Sequence, residues 1–238
     1  MLYLIGLGLN PEGFSYEAFE AVKNCRKIYL ENYTVELPYD KEEIEGLINK
    51  RVILADRSLV ESNKIVNEAK EQNVALLVYG SPLMATTHIT LIQEAKKNKI
   101  PIRVIQGASI LDAVSETGLQ LYKFGKITSI AKPQENFNSQ SFISIVKENL
   151  SINAHSLILI DIGLPFKDAL KQLQDAVKKE GVNLYSLVVC ERLGLNNAKI
   201  YHNTPLRLKL LKIKSPFCFI IPAQKLHFLE EEVLKGFR

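Results

Sequence analysis

Short apolar runs alternate with amphipathic segments along the first half of the chain. Residues 1–8 are apolar and end in Gly6 and Gly8, a pattern typical of a buried strand that runs into a tight turn. The run VALLVY at 74–79 is continuously apolar, as expected for a strand covered on both faces. Further strands are predicted at 27–32, 51–56 and 101–106, and helices at 15–24, 58–72 and 86–98. This alternation favours a mostly parallel sheet with helices on both faces.

Strands follow one another more closely in the second half of the chain, which favours a mixed sheet there. They are predicted at 127–131, 156–162, 184–193, 198–203 and 217–222, with helices at 108–118 and 226–236. We therefore predict an α/β protein with two domains, residues 1–107 and 108–238. No Gly/Ser-rich or Pro-rich linker joins them.

A few residues predict how the helices begin, end and face the core. Ser58 and Glu61 have the spacing of a capping box, which would start the helix at Ser58. Gly118 is placed to end a helix in the left-handed conformation. The inward face of the helix at 86–98 is predicted to carry Ile89, Ile92 and Ala95.

Composition narrows the class of protein. The chain has 238 residues, 47% of them hydrophobic, which is enough for one large core or two modest ones. No apolar run approaches the roughly 20 residues of a membrane span, and the apolar N-terminus lacks the basic start of a signal peptide. A net charge of +4 requires neither nucleic acid nor membrane as a partner. We therefore expect a cytoplasmic location.

Cysteines and histidines give no sign of a metal site or of a disulfide framework. The three cysteines are far apart and form no CxxC pair, so we expect buried thiols in a reducing compartment. The four histidines are equally scattered. The cysteines are Cys25, Cys190 and Cys218.

The first candidate for chemistry is the glycine turn Gly6-Leu-Gly8-Leu9 after the first strand. Glycines there let a ligand approach the backbone, as in dinucleotide sites. The third glycine of that fingerprint is replaced by Pro11, although Glu31 could still act as the acid that binds a ribose. A nucleotide site and a simple tight turn are both left open by these residues.

Three later strand ends are weaker candidates, and each has a purely structural explanation. The loop 80–88 (GSPLMATTH) could fold over an adenosyl group, or it could be a βα loop whose helix is capped by Thr86 and Thr87. Ser109, after Gly107, could offer a helix start to a ligand or serve only as an N-cap. Asp161 could face a ligand or anchor a turn. In each case the structural explanation alone is the favoured one.

One basic stretch alternates with apolar residues near the end of the chain. It could be a solvated face or a docking site for an acidic protein surface, and a solvated face is the favoured interpretation. Its basic residues are Arg207, Lys209, Lys212 and Lys214.

Together these segments resemble the diphthine synthase family, within the larger class of tetrapyrrole-methylase-like enzymes. Order and spacing match across nearly the whole chain, and GLQLYKFG and ATTH are far more specific than the glycine turn. The matching segments are MLYLIGLGL (1–9), IYLENYT (28–34), VILADR (52–57), VYGSPLMATTH (78–88), IPIRVIQGASI (100–110), GLQLYKFG (118–125), LIDI (159–162), ERLG (191–194) and IIPAQKLHFLEEEVL (220–234).

The resemblance implies a homodimer that binds S-adenosylmethionine, with S-adenosylhomocysteine as product, in a cleft between two α/β domains. The implied substrate is a histidine of translation elongation factor two that already carries an aminocarboxypropyl group, whose amine is methylated to give diphthine. No catalytic residue is implied, because the cofactor already carries an activated methyl group. The implied cofactor contacts are Leu9, Ser81, Met84, Ser109, Ile110, Ile160, Leu193 and Phe217.

Three departures from the family pattern bear on substrate contacts. Ser81 stands where the family has an aspartate, the segment 132–137 replaces an aromatic-rich one, and the region after Asp161 is short. Three alternatives remain open: a tetrapyrrole methyltransferase of the same fold, a nucleotide-dependent oxidoreductase, and a cofactor-binding member that has lost turnover.

Overall fold

Two compact units make up the chain, Met1–Asp112 and Ala113–Arg238, each built around one sheet. The computed structural model describes residues 1–133 and 141–237, so positions 134–137 of the departing segment lie outside the described residues. One sheet is parallel and the other mixed, which confirms the predicted α/β class. Among the described residues, no helix has the length and apolar character needed to cross a bilayer.

The first unit holds five parallel strands in the order β3-β2-β4-β1-β5. All five residues of the central strand β4 are buried, as its apolar run predicts. Since parallel strands all end at the same edge, the loops that follow them meet there. The strands are β1 (Leu2–Gly6), β2 (Lys27–Glu31), β3 (Ile53–Ala55), β4 (Val74–Val78) and β5 (Ile102–Ile105).

Helices cover both faces of this sheet and form two hydrophobic layers. On one face, Val22 and Ile44 pack with Leu77, and on the other Ile65 packs with Leu76. Burial of each such side chain contributes about 1.5–3 kcal/mol. The helices are α1 (Tyr16–Lys23), α2 (Lys41–Ile48), α3 (Arg57–Glu61), α4 (Lys64–Glu68), α5 (Ile89–Lys97) and α6 (Ile110–Ala113).

The predicted helix at 58–72 is two short helices, α3 and α4, and its predicted capping box is wrong. The N-cap is Asp56, whose carboxylate accepts the Leu59 N–H at 2.8 Å. Ser58 lies inside α3 and donates its hydroxyl to Asp56 at 2.8 Å. The strand ends at Ala55, so the aspartate that follows it is the first side chain able to cap the helix.

The helix predicted at 86–98 begins later, at Ile89, with His88 as its N-cap residue and no side-chain cap. Capping by Thr86 and Thr87 is therefore wrong. Ala95 is buried as predicted and Ile92 is half-buried, but Ile89 is 50% exposed. Leu91, four positions before Ala95, is the buried residue of the first turn instead.

The second unit holds a mixed sheet in the order β6-β7-β10-β8-β9, in which only the β6–β7 pair is parallel. The predicted helix at 108–118 divides into α6 and a 3-10 turn, Val114–Thr117, which ends at Gly118 with φ +75° as predicted. The strands are β6 (Thr128–Ile130), β7 (Ser156–Ile160), β8 (Leu187–Glu191), β9 (Lys199–Asn203) and β10 (Phe217–Ile221).

The main helices of the second unit pack on this sheet through one apolar stripe each. In α8, Leu170, Leu173 and Val177 are buried at helical spacing. All three cysteines of the chain are buried and free, as predicted, and Cys190 lies opposite Cys218 on β8 and β10. The helices are α7 (Phe142–Ser151), α8 (Phe166–Lys179), α9 (Pro205–Leu208) and α10 (Phe228–Lys235).

Candidate functional site

Backbone segments from three strand ends meet at the carboxyl edge of the parallel sheet. Gly8 and Gly80 exchange two hydrogen bonds, of 3.2 and 2.8 Å. A Cβ atom on Gly6 would lie 2.5 Å from the Gly80 oxygen, and one on Gly107 would lie 2.6 Å from the Gly8 nitrogen. We call these four residues the glycine crossing. Side chains are excluded at Gly6 and Gly107 because the backbones themselves are in contact.

Conformation, rather than space, requires glycine at Gly80. Its φ is +74°, a region that residues with a side chain rarely adopt. A Cβ atom there would meet nothing closer than the Ala108 oxygen at 3.8 Å and the Ser109 Cα at 3.9 Å. The crossing therefore accounts for the glycine turn structurally, and an added Cβ atom at Gly80 would reach only ordinary van der Waals contact with its neighbours.

Glu31 does not have the free carboxylate that a ribose-binding role would need. It is buried at the end of β2 and accepts the N–H groups of Tyr33 and Thr34 at 2.7 and 2.6 Å. Its second oxygen accepts the Thr34 hydroxyl at 2.6 Å. Both oxygens are used by the turn that follows the strand, so this hypothesis fails.

The loop after β4 contacts the loop after β5 through side chains. Ser81, in the position of the family aspartate, donates its hydroxyl to Gln106 Oε1 at 2.8 Å. Ala85 has φ +53°, an unusual conformation for a residue other than glycine. The Thr86 hydroxyl is buried and finds no hydrogen-bond partner in the described part of the chain. Strain and an unsatisfied buried hydroxyl in one loop are typical of functional sites.

Ser109 opens α6 and behaves as a local cap. Its hydroxyl accepts the Leu111 N–H at 3.2 Å and donates to Asp112 Oδ2 at 3.0 Å. Its own N–H donates to the same carboxylate oxygen at 2.7 Å. The N-cap interpretation is confirmed, and these bonds also fix Ser109 next to Gly80.

The predicted contacts of the first unit lie in the loops at this sheet edge. Leu9, which is buried, directly follows Gly8, and Ser81 directly follows Gly80, so each adjoins a residue of the crossing. Ser109 adjoins Gly80, with Ile110 next to it. Met84 is 46% exposed, and its backbone N–H donates to the Ser81 carbonyl oxygen at 3.2 Å.

The predicted contacts of the second unit are explained by packing within that unit. Ile160 ends β7 and is half-buried against the core. Phe217 is buried, with its ring 5.6 Å from that of Phe166. Leu193 is buried next to Arg192, whose φ is +53°. Their contact with a ligand stays a prediction.

Asp161 and the basic stretch have the favoured structural roles. The Asp161 carboxylate accepts the N–H groups of Lys132 and Ile162, both at 3.0 Å, which confirms a turn anchor. The four basic residues, which are Arg207, Lys209, Lys212 and Lys214, are exposed.

A buried polar cluster in the second unit escaped the sequence analysis. The Glu230 carboxylate is fully buried and accepts from Lys123 Nζ at 2.6 Å and from His155 Nε2 at 3.0 Å. It also accepts the N–H groups of Gln120 and His227, at 3.0 and 2.7 Å. We call these five residues the Glu230 hub. The hub joins GLQLYKFG to the segment 220–234, a link that no periodicity in the sequence could reveal.

The hub has a defined charge state. His155 Nδ1 accepts the Ala223 N–H at 2.9 Å, so Nε2 carries the proton that is donated to Glu230. Burial lowers the pKa of His155, which keeps the imidazole neutral. Burial alone would raise the pKa of Glu230, but the hydrogen bonds from Lys123, Gln120, His227 and His155 lower it to about 2.

The whole chain is similar to known proteins of one kind. Residues 1–208 match the family model of Tetrapyrrole (Corrin/Porphyrin) Methylases. The chain is 37% identical to the diphthine synthase of Methanococcus maripaludis over 250 residues, which cover 99% of this chain and 98% of the relative. It is 48% identical to the diphthine methyl ester synthase of Schizosaccharomyces pombe over 165 residues, which cover 68% of this chain.

That alignment spans only 58% of the fungal protein's length. Among solved structures, a candidate diphthine synthase from Entamoeba histolytica has a TM-score of 0.90 and 32% identity, with 100% of this chain and 98% of that chain covered.

Proposed function

Since the chain belongs to the tetrapyrrole methylase family, and within it to the diphthine synthases, we propose that it is an S-adenosylmethionine-dependent methyltransferase of diphthamide biosynthesis. The observation that carries the proposal is the likeness to a named diphthine synthase along nearly the whole of both chains. We further propose that it acts in the cytoplasm as a homodimer. The proposed substrate is translation elongation factor two.

The residues at the glycine crossing fit such a cofactor. At Gly80 the atom nearest to the position of a Cβ atom is the Ala108 oxygen, at 3.8 Å, so the backbone is not blocked from a ligand there. Leu9 supplies an apolar surface, the Ser81 hydroxyl can bond a polar group, and the Thr86 hydroxyl is buried without a partner among the described residues. The other predicted contacts, which are Met84, Ser109, Ile110, Ile160, Leu193 and Phe217, remain part of this proposal.

The chemistry places modest demands on the protein. When bound, S-adenosylmethionine supplies a methyl group on a positively charged sulfur. The residues of this chain bind and orient the reactants, an effect that reaches about 7–11 kcal/mol in well-aligned intramolecular reactions. An amine can lose its proton to water before it attacks, so the proposal assigns no general base.

The cofactor proposal is tested by calorimetric titration with S-adenosylhomocysteine. We expect Gly80→Ala to weaken its affinity about tenfold or more, because the substitution strains the backbone at the site and occupies the adjoining space. Gly181→Ala is the matched control, since Gly181 has φ +64° and no atom within 4 Å of an added Cβ. Equal affinity of both variants would argue against this site.

The relatives are named for two different products, diphthine and diphthine methyl ester, and the product of this protein can be measured. The fungal relative is a diphthine methyl ester synthase, which favours methylation of a carboxylate as a second activity. Mass spectrometry of elongation factor two, after incubation with protein and cofactor, would count the methyl groups. Mild alkali removes an ester methyl and leaves N-methyl groups in place. No mass gain on substrate that carries the aminocarboxypropyl group would contradict the proposed function.

A further inference from the structure

A buried histidine connects the loop after β4 with the loop after β2. His88 is 1% exposed, and its Nδ1 lies 3.0 Å from the Pro82 carbonyl oxygen. Because a carbonyl only accepts, Nδ1 must carry the proton, and Nε2 is left as an acceptor. The Tyr33 hydroxyl lies 3.3 Å from Nε2 and donates to it. His88 thus bridges the two loops through its two ring nitrogens.

Tyr33 is itself fixed by its surroundings. Its N–H donates to Glu31, its ring meets the His88 ring edge-on at 6.1 Å, and Arg57 lies 5.2 Å from its ring centre. Burial, together with Glu31 and Glu61, raises the pKa of Tyr33, so the phenol keeps the proton that it donates. Besides its contact with His88, the donor of the bridge is therefore also held by Glu31 and Arg57.

The supported loop needs such a constraint. Ala85 is held at φ +53°, which costs free energy in any residue with a side chain. A strained conformation persists only where its surroundings fix it. Pro82 lies midway between Gly80 and Ala85, so its bond to His88 restrains the strained turn and Ser81 together.

We propose that Tyr33 and His88 are positioning residues that hold the loop Gly80–Ala85 in the form that binds the cofactor. This inference rests on the proposed function. Neither side chain is assigned a contact with the reacting atoms. Their role is to place the backbone of Gly80 and the hydroxyl of Ser81.

The test compares two tyrosine-to-phenylalanine variants of the same unit. Tyr33→Phe removes the donor to His88, whereas Tyr29→Phe removes a hydroxyl that donates to Glu68 at 2.7 Å, away from the loop. Affinity for S-adenosylhomocysteine is measured by calorimetry, and thermal unfolding is followed without ligand. We expect Tyr33→Phe to weaken binding about tenfold and Tyr29→Phe to change it by less than about twofold. Equal affinities for the two variants would overturn the proposal, whatever their melting temperatures.

A second set of variants examines His88. His88→Asn keeps a donor near the position of Nδ1 and should retain most of the affinity, whereas His88→Gln and His88→Ala lose the bond to Pro82 and should bind weakly. Wild-type affinity in His88→Ala would also overturn the proposal. If that variant does not fold, the tyrosine pair decides. A wild-type protein that fails to bind S-adenosylhomocysteine would refute the proposed function itself, a result distinct from a loss confined to the variants.

Discussion

The glycine crossing and the Glu230 hub hold their units together by opposite means. The crossing is made of backbone alone, and its requirement is the absence of side chains at Gly6 and Gly107. The hub is made of a buried carboxylate and its donors, and it joins Gln120 to a residue 110 positions away. A crossing of backbones tolerates almost no added volume, whereas a buried ion pair tolerates almost no loss of charge.

The segments that best identify the family are not the ones that form the proposed cofactor site. GLQLYKFG is among the most specific segments of the family resemblance, yet its Gln120 and Lys123 serve the buried hub. The common Gly-x-Gly turn forms the sheet edge where we propose that the cofactor binds. A segment that identifies a family can therefore have a structural role within one unit rather than a role in binding.

The largest effect is expected from a methyl group added to the crossing. Gly107→Ala should lower the free energy of unfolding by about 4 kcal/mol or more, above the usual cost of overpacking, because all three nearest atoms belong to backbone. Gly46→Ala in α2 is the control, since no atom lies within 4 Å of its Cβ, and it should stabilise by about 0.5–1 kcal/mol. Urea unfolding measures the stability of both variants. Similar stabilities would show that the crossing tolerates a side chain at Gly107.

Removal of the charge at the centre of the hub comes next. Glu230→Ala should cost about 3 kcal/mol, at the low end for a broken buried pair, because Lys123 is 21% exposed and can turn toward water. Glu231→Ala, on the exposed face of the same helix, should change stability by less than about 0.5 kcal/mol. A loss as small as that of the control would show that the hub contributes nothing.

Acid should weaken the hub in a defined order. The pKa of Glu230 falls from an ordinary value of 4.5 to about 2 on folding, so its contribution is complete above pH 4.5 and is lost as the pH falls toward 2. The lowered pKa of His155 adds a loss in the same direction below pH 6.5, because the unfolded chain binds that proton first. The Glu230 share is about 3 kcal/mol.

Urea unfolding between pH 7 and pH 3 would measure this dependence in the wild type and in Glu230→Gln. The stability advantage of the wild type should shrink below pH 4.5. Parallel curves for the two proteins would contradict the assignment.

The smallest effect is expected at Ser81. Ser81→Ala removes one neutral hydrogen bond at the proposed site, so affinity for S-adenosylhomocysteine should fall about fivefold while stability is nearly unchanged. Ser151→Ala loses a comparable bond on the exposed surface of α7 and should leave affinity unaltered. Undiminished affinity in Ser81→Ala would show that the Ser81 hydroxyl contributes nothing to cofactor binding.

Periodicity predicted the strands of both sheets, but the amphipathic helices α2, α7 and α8 were not predicted, although each buries an apolar stripe. Contacts distant in sequence were also missed. The strand at Val74–Val78 and the left-handed Gly118 follow from local rules, and both are confirmed. The N-cap of α3, Asp56, was missed because two residues able to cap a helix, Asp56 and Ser58, lie within three positions. Locally, Glu230 is recognisable only as the N3 residue of a capping box with His227. The rest of the hub could not be predicted, because Gln120 and His155 lie far from Glu230 in the sequence.

The three buried cysteines give each unit an internal reporter of its own opening. Cys25 lies in the core of the first unit, where burial raises its pKa to about 11, and Cys190 and Cys218 lie side by side in the second. A thiol reagent can reach them only when the surrounding structure opens, so labelling rates at the three positions report two separate opening equilibria. The natural cysteines can therefore show which unit opens first, without an engineered probe.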